Sequence, residues 1–127
     1  MSRVVLDSSA LLAYTHGELG ANKVASALSN AMMSSVNVAE VVTKLALGGM
    51  DSATITRMFR EFELAIADFT AELALDAGLL APHTKHLGQS LGDRACLALA
   101  HREGAAVLTT DRAWRNLDVG VEIELIR

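Results

Sequence analysis

What this sequence has little of narrows it first. Aromatic residues make up only 4% of the 127 positions. A core built without them has to be packed by the abundant Ala and Leu side chains, which suits helices in a helix-rich α/β fold. The one cysteine, Cys96, has no partner for an internal disulfide, and its setting in ACLALA is that of a small core residue rather than a reactive thiol. Positive charge is in deficit, at a formal net charge of −4. That excludes a broad basic nucleic-acid footprint, so any such contact must be local or mediated by a metal. No window approaches the roughly 18 uninterrupted apolar residues of a membrane span, and Asp7 breaks the apolar start that a signal peptide would need. The expected location is cytoplasmic, with no membrane partner. Zinc spacing is missing too, since His83 and His86 stand three apart without a second pair and read as solvated. There is no internal repeat, low-complexity tract or linker, so residues 1–127 are expected to form one domain.

What is present alternates between strand and helix. RVVLD (3–7) reads as a strand, with Ser8 and Ser9 capping the helix that follows. Val24, Leu28, Ala31 and Met32 fall at helical spacing, and MMSSVN then supplies an extended link into a helix over 38–47 that Gly48 and Gly49 stop. Asp51 or Ser52 caps a helix whose Ile55, Met58, Phe59 and Phe62 form a core stripe. Residues 63–69 read as a strand, and Thr70 caps a helix with Leu73, Ala77 and Leu80 on one face. Residues 81–92, holding the only proline, read as an irregular exposed loop. DRACLALAHREG is apolar on nearly every side, as an enclosed helix would be. AAVLTT reads as a strand, a short helix begins at Asp111, and VEIELI alternates like a half-exposed edge strand. This order predicts a three-layer α/β/α fold with a mostly parallel central sheet and helices on both faces, and sites in such sheets lie beyond the carboxyl ends of the strands.

Four acids stand at or near helix starts: Asp7, Glu40, Asp93 and Asp111. Singly, each has an ordinary explanation as a cap or first-turn acid, and Lys44 sits four residues after Glu40 in the right orientation for a helical ion pair. Gathered on one rim, carboxylates within about 4 to 6 Å raise one another's pKa and call for a cation. An all-oxygen donor set suits Mg²⁺ or Mn²⁺, and a carboxylate-held ion of that kind serves attack of an activated water on a phosphodiester. Arg94 and Arg112, each directly after an acid, with Lys44 and Arg115 further round, are candidate phosphate contacts; shielding of the acids explains the arginines as well. Ser9 and Thr109, two residues from Asp7 and Asp111, are auxiliary hydroxyls.

The segments VVLDSSALLA, SSVNVAEVVTKL, LGQSLGDRACLALA and VLTTDRAW resemble the four acidic motifs of PIN-domain ribonucleases, VapC-type toxins of bacterial type II toxin-antitoxin pairs among them. The resemblance runs from Arg3 to Arg127. It implies that Asp7, Glu40, Asp93 and Asp111 are the metal-binding and catalytic acids, with Thr109 assisting. It further implies Mg²⁺- or Mn²⁺-dependent endoribonuclease activity on RNA, a homodimer, and inhibition by a cognate antitoxin. Two other enzyme classes fit less well. A haloacid dehalogenase-like phosphatase needs a second Asp at position 9, which is Ser, and a receiver domain needs adjacent acids after the first strand. A noncatalytic module serving as a partner-binding scaffold is the alternative from outside the enzymes.

Overall fold

The computed structural model describes residues 3–127; the first two residues of the expected 1–127 unit lie outside that range. The chain runs β1 (Val4–Leu6), α1 (Ser8–Thr15), α2 (Ala21–Ala27), β2 (Ala31–Ser34), α3 (Ser35–Leu47), α4 (Ser52–Glu61), β3 (Ala65–Ala67), α5 (Ala71–Leu79), α6 (Ala81–Thr84), α7 (Leu91–Glu103), β4 (Ala106–Thr109) and β5 (Ile123–Leu125). Short 3-10 turns cover Leu28–Asn30, Lys85–Leu87 and Arg112–Asn116. The strands form one sheet in the order β3-β2-β1-β4-β5, and every pairing is parallel.

Neighbouring strand residues feed two cores. Leu6, Met33 and Leu108 pack on one face with Leu11, Val24, Val41 and Ile55 from α1 to α4. Val5, Met32 and Val107 pack on the other with Leu73, Cys96, Leu97, Leu99 and Trp114. This is the expected α/β/α layering, and covering both faces is why the inner strands are short apolar runs without a polar alternation. The chain reverses its direction of winding between β1 and β4, where the carboxyl ends of the two strands leave a crevice.

Several boundaries differ from the sequence reading. Ala31 and Met32 are not on a helix: α2 ends at Ala27, and all four residues of β2 are buried inside the sheet. The helical spacing of Val24, Leu28, Ala31 and Met32 is a coincidence across a helix-strand junction. Helix α3 begins at Ser35 rather than at 38, because Ser34 leaves the strand and caps it by accepting from Val36 N at 3.2 Å. Glu40 therefore stands in its second turn. Residues 81–92 are largely exposed, as expected, but not irregular: Pro82 sits near the start of α6, where its fixed φ is tolerated, and Thr84 is fully buried. Ser90 caps α7 and forms a reciprocal capping box with Asp93, so Asp93 is the third residue of that helix rather than its first. Strands β1, β3 and β5 are each shorter than 3–7, 63–69 and 121–126.

The capping expectations hold at Asp51, which accepts from Thr54 N at 2.8 Å, and at Thr70, which accepts from Leu73 N at 3.2 Å, but not at Ser8 and Ser9, which are the first two residues of α1 behind its cap Asp7. Gly49, with φ +99°, turns the chain after α3 where a side chain would be strained.

Candidate active site

Three strand ends and three helix starts converge at the crevice. Asp7 follows β1 directly and caps α1; Ser34 passes the chain from β2 into α3, which carries Glu40 and Lys44; Thr109 ends β4 and Asp111 caps the 3-10 turn after it. Asp93 arrives from the first turn of α7. A cleft of about 180 Å³ is lined by Asp7, Ser8, Ser9, Glu40, Lys44, Asp93 and Asp111. All four acids singled out in the sequence thus face one small cavity.

Asp7 is the deepest of them, only 5% exposed. Its Oδ1 accepts from Ser9 Oγ at 2.7 Å and from Ala10 N at 2.8 Å, and its Oδ2 accepts from Thr109 Oγ1 at 2.6 Å. Burial nevertheless outweighs these three donors and, with a smaller push from the charge of Asp93, raises the carboxyl pKa to about 6. Ser9 and Thr109 are placed as auxiliaries would be: besides holding Asp7, Ser9 Oγ accepts from Thr110 N at 3.0 Å and Thr109 Oγ1 accepts from Asp111 N at 3.0 Å. The two hydroxyls thereby lock the β1 and β4 ends together.

Glu40 accepts on Oε1 from Ser8 Oγ at 2.5 Å and from Asn37 Nδ2 at 2.8 Å, while Asn37 Nδ2 also donates to the Gly92 carbonyl at 3.0 Å. A Cβ at Gly92 would lie 2.5 Å from Glu40 Cδ, so only glycine lets α7 pass the glutamate this closely. Ser8, which the sequence offers only as a helix cap, and Asn37 and Gly92 are not among the site residues expected from the sequence. A small polar residue three positions before an acid is the one signal that could have pointed to Asn37. Asp93 and Asp111 each accept from backbone, Asp93 Oδ2 from Ser90 N at 2.9 Å and Asp111 Oδ1 from Ala113 N at 3.0 Å.

The cations divide. Lys44 lines the cleft and is exposed; among the described residues it makes no ion pair with Glu40, whose carboxylate turns to Ser8 and Asn37 instead. Arg112 and Arg115 are exposed on the 3-10 turn beyond Asp111 and do not line the cleft. Arg94 does not line the cleft: it donates to the Ala77 carbonyl at 3.0 Å and ties α7 to α5. His83 and His86 are exposed, as expected. Cys96 is fully buried behind the acids, and burial, followed by the charges of Asp7, Asp93 and Glu40, pushes its thiol well up.

The donor set of the cleft is oxygen only, which fits a hard divalent ion. Among the described residues, no three His, Cys, Asp or Glu side chains are drawn together tightly enough to cage an ion unaided. Magnesium does not demand that, because it binds through one or two carboxylates and keeps water in its remaining positions. A buried carboxyl at about 6 is also one that a neighbouring cation would relieve.

Comparison with known proteins agrees with this architecture. A chain of the DNA-bound VapBC complex of Salmonella typhimurium superposes with a TM-score of 0.78 at 16% identity, covering 100% of both chains. VapC20 of Mycobacterium tuberculosis, described as a sarcin-ricin loop cleaving toxin, gives 0.74 at 17% identity over 94% of this chain and 98% of its own. VapBC-1 of nontypeable Haemophilus influenzae gives 0.72 at 18% identity over 97% of each. Among curated proteins no match is found. The PIN domain family model matches residues 4–120, and the chain belongs to the PIN-domain family.

Proposed function

We propose that this protein is a Mg²⁺- or Mn²⁺-dependent endoribonuclease, the toxin of a toxin-antitoxin pair. The observation that carries the reading is the cleft at the β1 and β4 ends, where Asp7, Glu40, Asp93 and Asp111 meet in a PIN-domain chain. Asp7 would be the central ligand, because Ser9, Ala10 and Thr109 fix both of its oxygens in place before any ion arrives. Glu40, Asp93 and Asp111 would complete the set from α3, α7 and the turn after β4. An ion held there would neutralise the carboxylates and supply an activated water for attack on the phosphodiester. Lys44 at the rim holds a phosphate by charge, and exposed Arg112 and Arg115 extend that contact along the strand. A protein of net charge −4 binds a polyanion in this way without a basic face.

Inhibition by a cognate antitoxin and assembly as a homodimer belong to the same proposal. The antitoxin partner is supported by the likeness to VapBC complexes, and the homodimer is carried over from the resemblance to VapC-type toxins. The test is cleavage of a mixed RNA pool and of matched DNA under limiting Mn²⁺, with Asp7→Asn and Asp111→Asn alongside. Metal-dependent RNA cleavage that both variants lose supports the reading. A wild-type rate in Asp111→Asn removes that residue from the ligand set, and cleavage of DNA alone reassigns the substrate. An inert wild-type protein favours the scaffold role.

A further inference from the structure

Asn37 is 2% exposed, and both hydrogens of its amide nitrogen are committed, one to Glu40 Oε1 and one to the Gly92 carbonyl. That orientation is forced: a flipped amide would aim its oxygen at a carboxylate and a carbonyl, which are acceptors only. The amide oxygen, Oδ1, is buried and has no partner among the described residues. Leaving an acceptor so placed is costly, and an apolar residue at this position would avoid the cost. What the residue gains is a grip on Glu40. Ser8 Oγ supplies the second donor to the same carboxylate oxygen, and bare Gly92 forms the opposite wall. Among the described residues, Glu40 Oε2 accepts no hydrogen bond.

We infer that Asn37 is a positioning residue for Glu40: with Ser8 it anchors Oε1 on the seam between α3 and α7, so that Oε2 is kept for a cation in the cleft. The inference rests on the reading of Glu40 as a metal ligand. Asn37 itself touches neither ion nor substrate. Its position one helical turn before Glu40 puts both on one face of α3, and its second bond, to Gly92, fixes the distance between that face and the helix that carries Asp93.

Calorimetric titration of the metal-free protein with Mn²⁺ alone tests this without recourse to activity. Partners that orient a ligating group are worth about 10–100-fold in metal affinity, so Asn37→Ala should weaken Mn²⁺ binding by that order while the folded protein is retained. Ser8→Ala should give a loss in the same direction. In a Glu40→Gln background, Asn37→Ala should add no further loss, because a residue acting through Glu40 has nothing left to position. An undiminished affinity in folded Asn37→Ala overturns the inference, and so does a loss that adds fully to that of Glu40→Gln, which would mark a general effect on the fold. Unchanged affinity in Glu40→Gln alone overturns the ligand reading on which the inference stands. If Asn37→Ala does not fold, Ser8→Ala and Gly92→Ala apply the same test from the other two sides of the carboxylate, and wild-type affinity in both overturns it.

Discussion

Asp7 binds its proton more tightly in the folded protein than in the unfolded chain, at about 6 against 3.8, with burial as the leading cause. The sign follows from linkage. The folded state is favoured in full below 3.8, loses that advantage as pH rises through about 6, and carries a constant penalty above it. At about 1.4 kcal/mol per unit the penalty is on the order of 3 kcal/mol, an upper figure for a group whose surroundings relax. Asp7→Asn should therefore raise the metal-free melting temperature at pH 7.5 and flatten its decline between pH 4 and 6, as scanning calorimetry at several pH values would register. A variant no more stable than wild type at pH 7.5 contradicts the burial argument. The basic residues separate by the same kind of measurement. Arg94→Ala loses a charge-assisted bond to a helix-end carbonyl and should cost about 1–2 kcal/mol of stability with little effect on RNA binding. Lys44→Ala, on an exposed helix face, should do the reverse, leaving the melting temperature alone and weakening RNA binding in a salt-dependent way. Equal RNA affinity in the two variants would return Lys44 to the solvated surface.

At the scale of elements, α2 begins against the last strand. Gly20 has φ +96°, and a Cβ there would stand 2.6 Å from the Ile126 carbonyl oxygen. Gly20→Ala should lower stability by at least about 1 kcal/mol from the backbone alone, and more from the collision, which thermal melting would measure. A neutral result would mean that the α2 start shifts freely. Neither the left-handed backbone nor the contact with a residue 106 positions away is visible in a sequence. The acids tell the opposite story. Asp7 and Asp111 were legible because each follows an apolar run with helix-capping chemistry behind it, and a parallel sheet sends all such points to one rim. Asp93 and Glu40 were legible only as members of that set. The start of β2 was not, because both of its faces are covered and three apolar residues in a row look alike in a helix and in a buried strand. The Ser8, Asn37 and Gly92 arrangement was illegible for a related reason: it is built across three elements, and each residue alone passes for a cap or a turn.

On the scale of the whole molecule, the cleft and the two cores meet at α7. That helix carries Asp93 at its start, and one turn later Cys96 lies wholly inside the sheet-facing core. Its thiol is the only one in the sequence and is held well above its ordinary pKa, so it is poorly ionised as well as shielded from solvent. A disulfide reagent therefore reaches it only when the molecule opens, and the rate of modification becomes a clock for that opening, read at one atom without any engineered label. The clock is set directly behind the acids. A divalent ion that binds only the closed form should slow modification in proportion to the shrinking unoccupied fraction, by about a hundredfold at a hundred times its dissociation constant. Modification at an unchanged rate under saturating Mn²⁺ would mean that the helix beneath the cleft parts from the sheet without disturbing the ion.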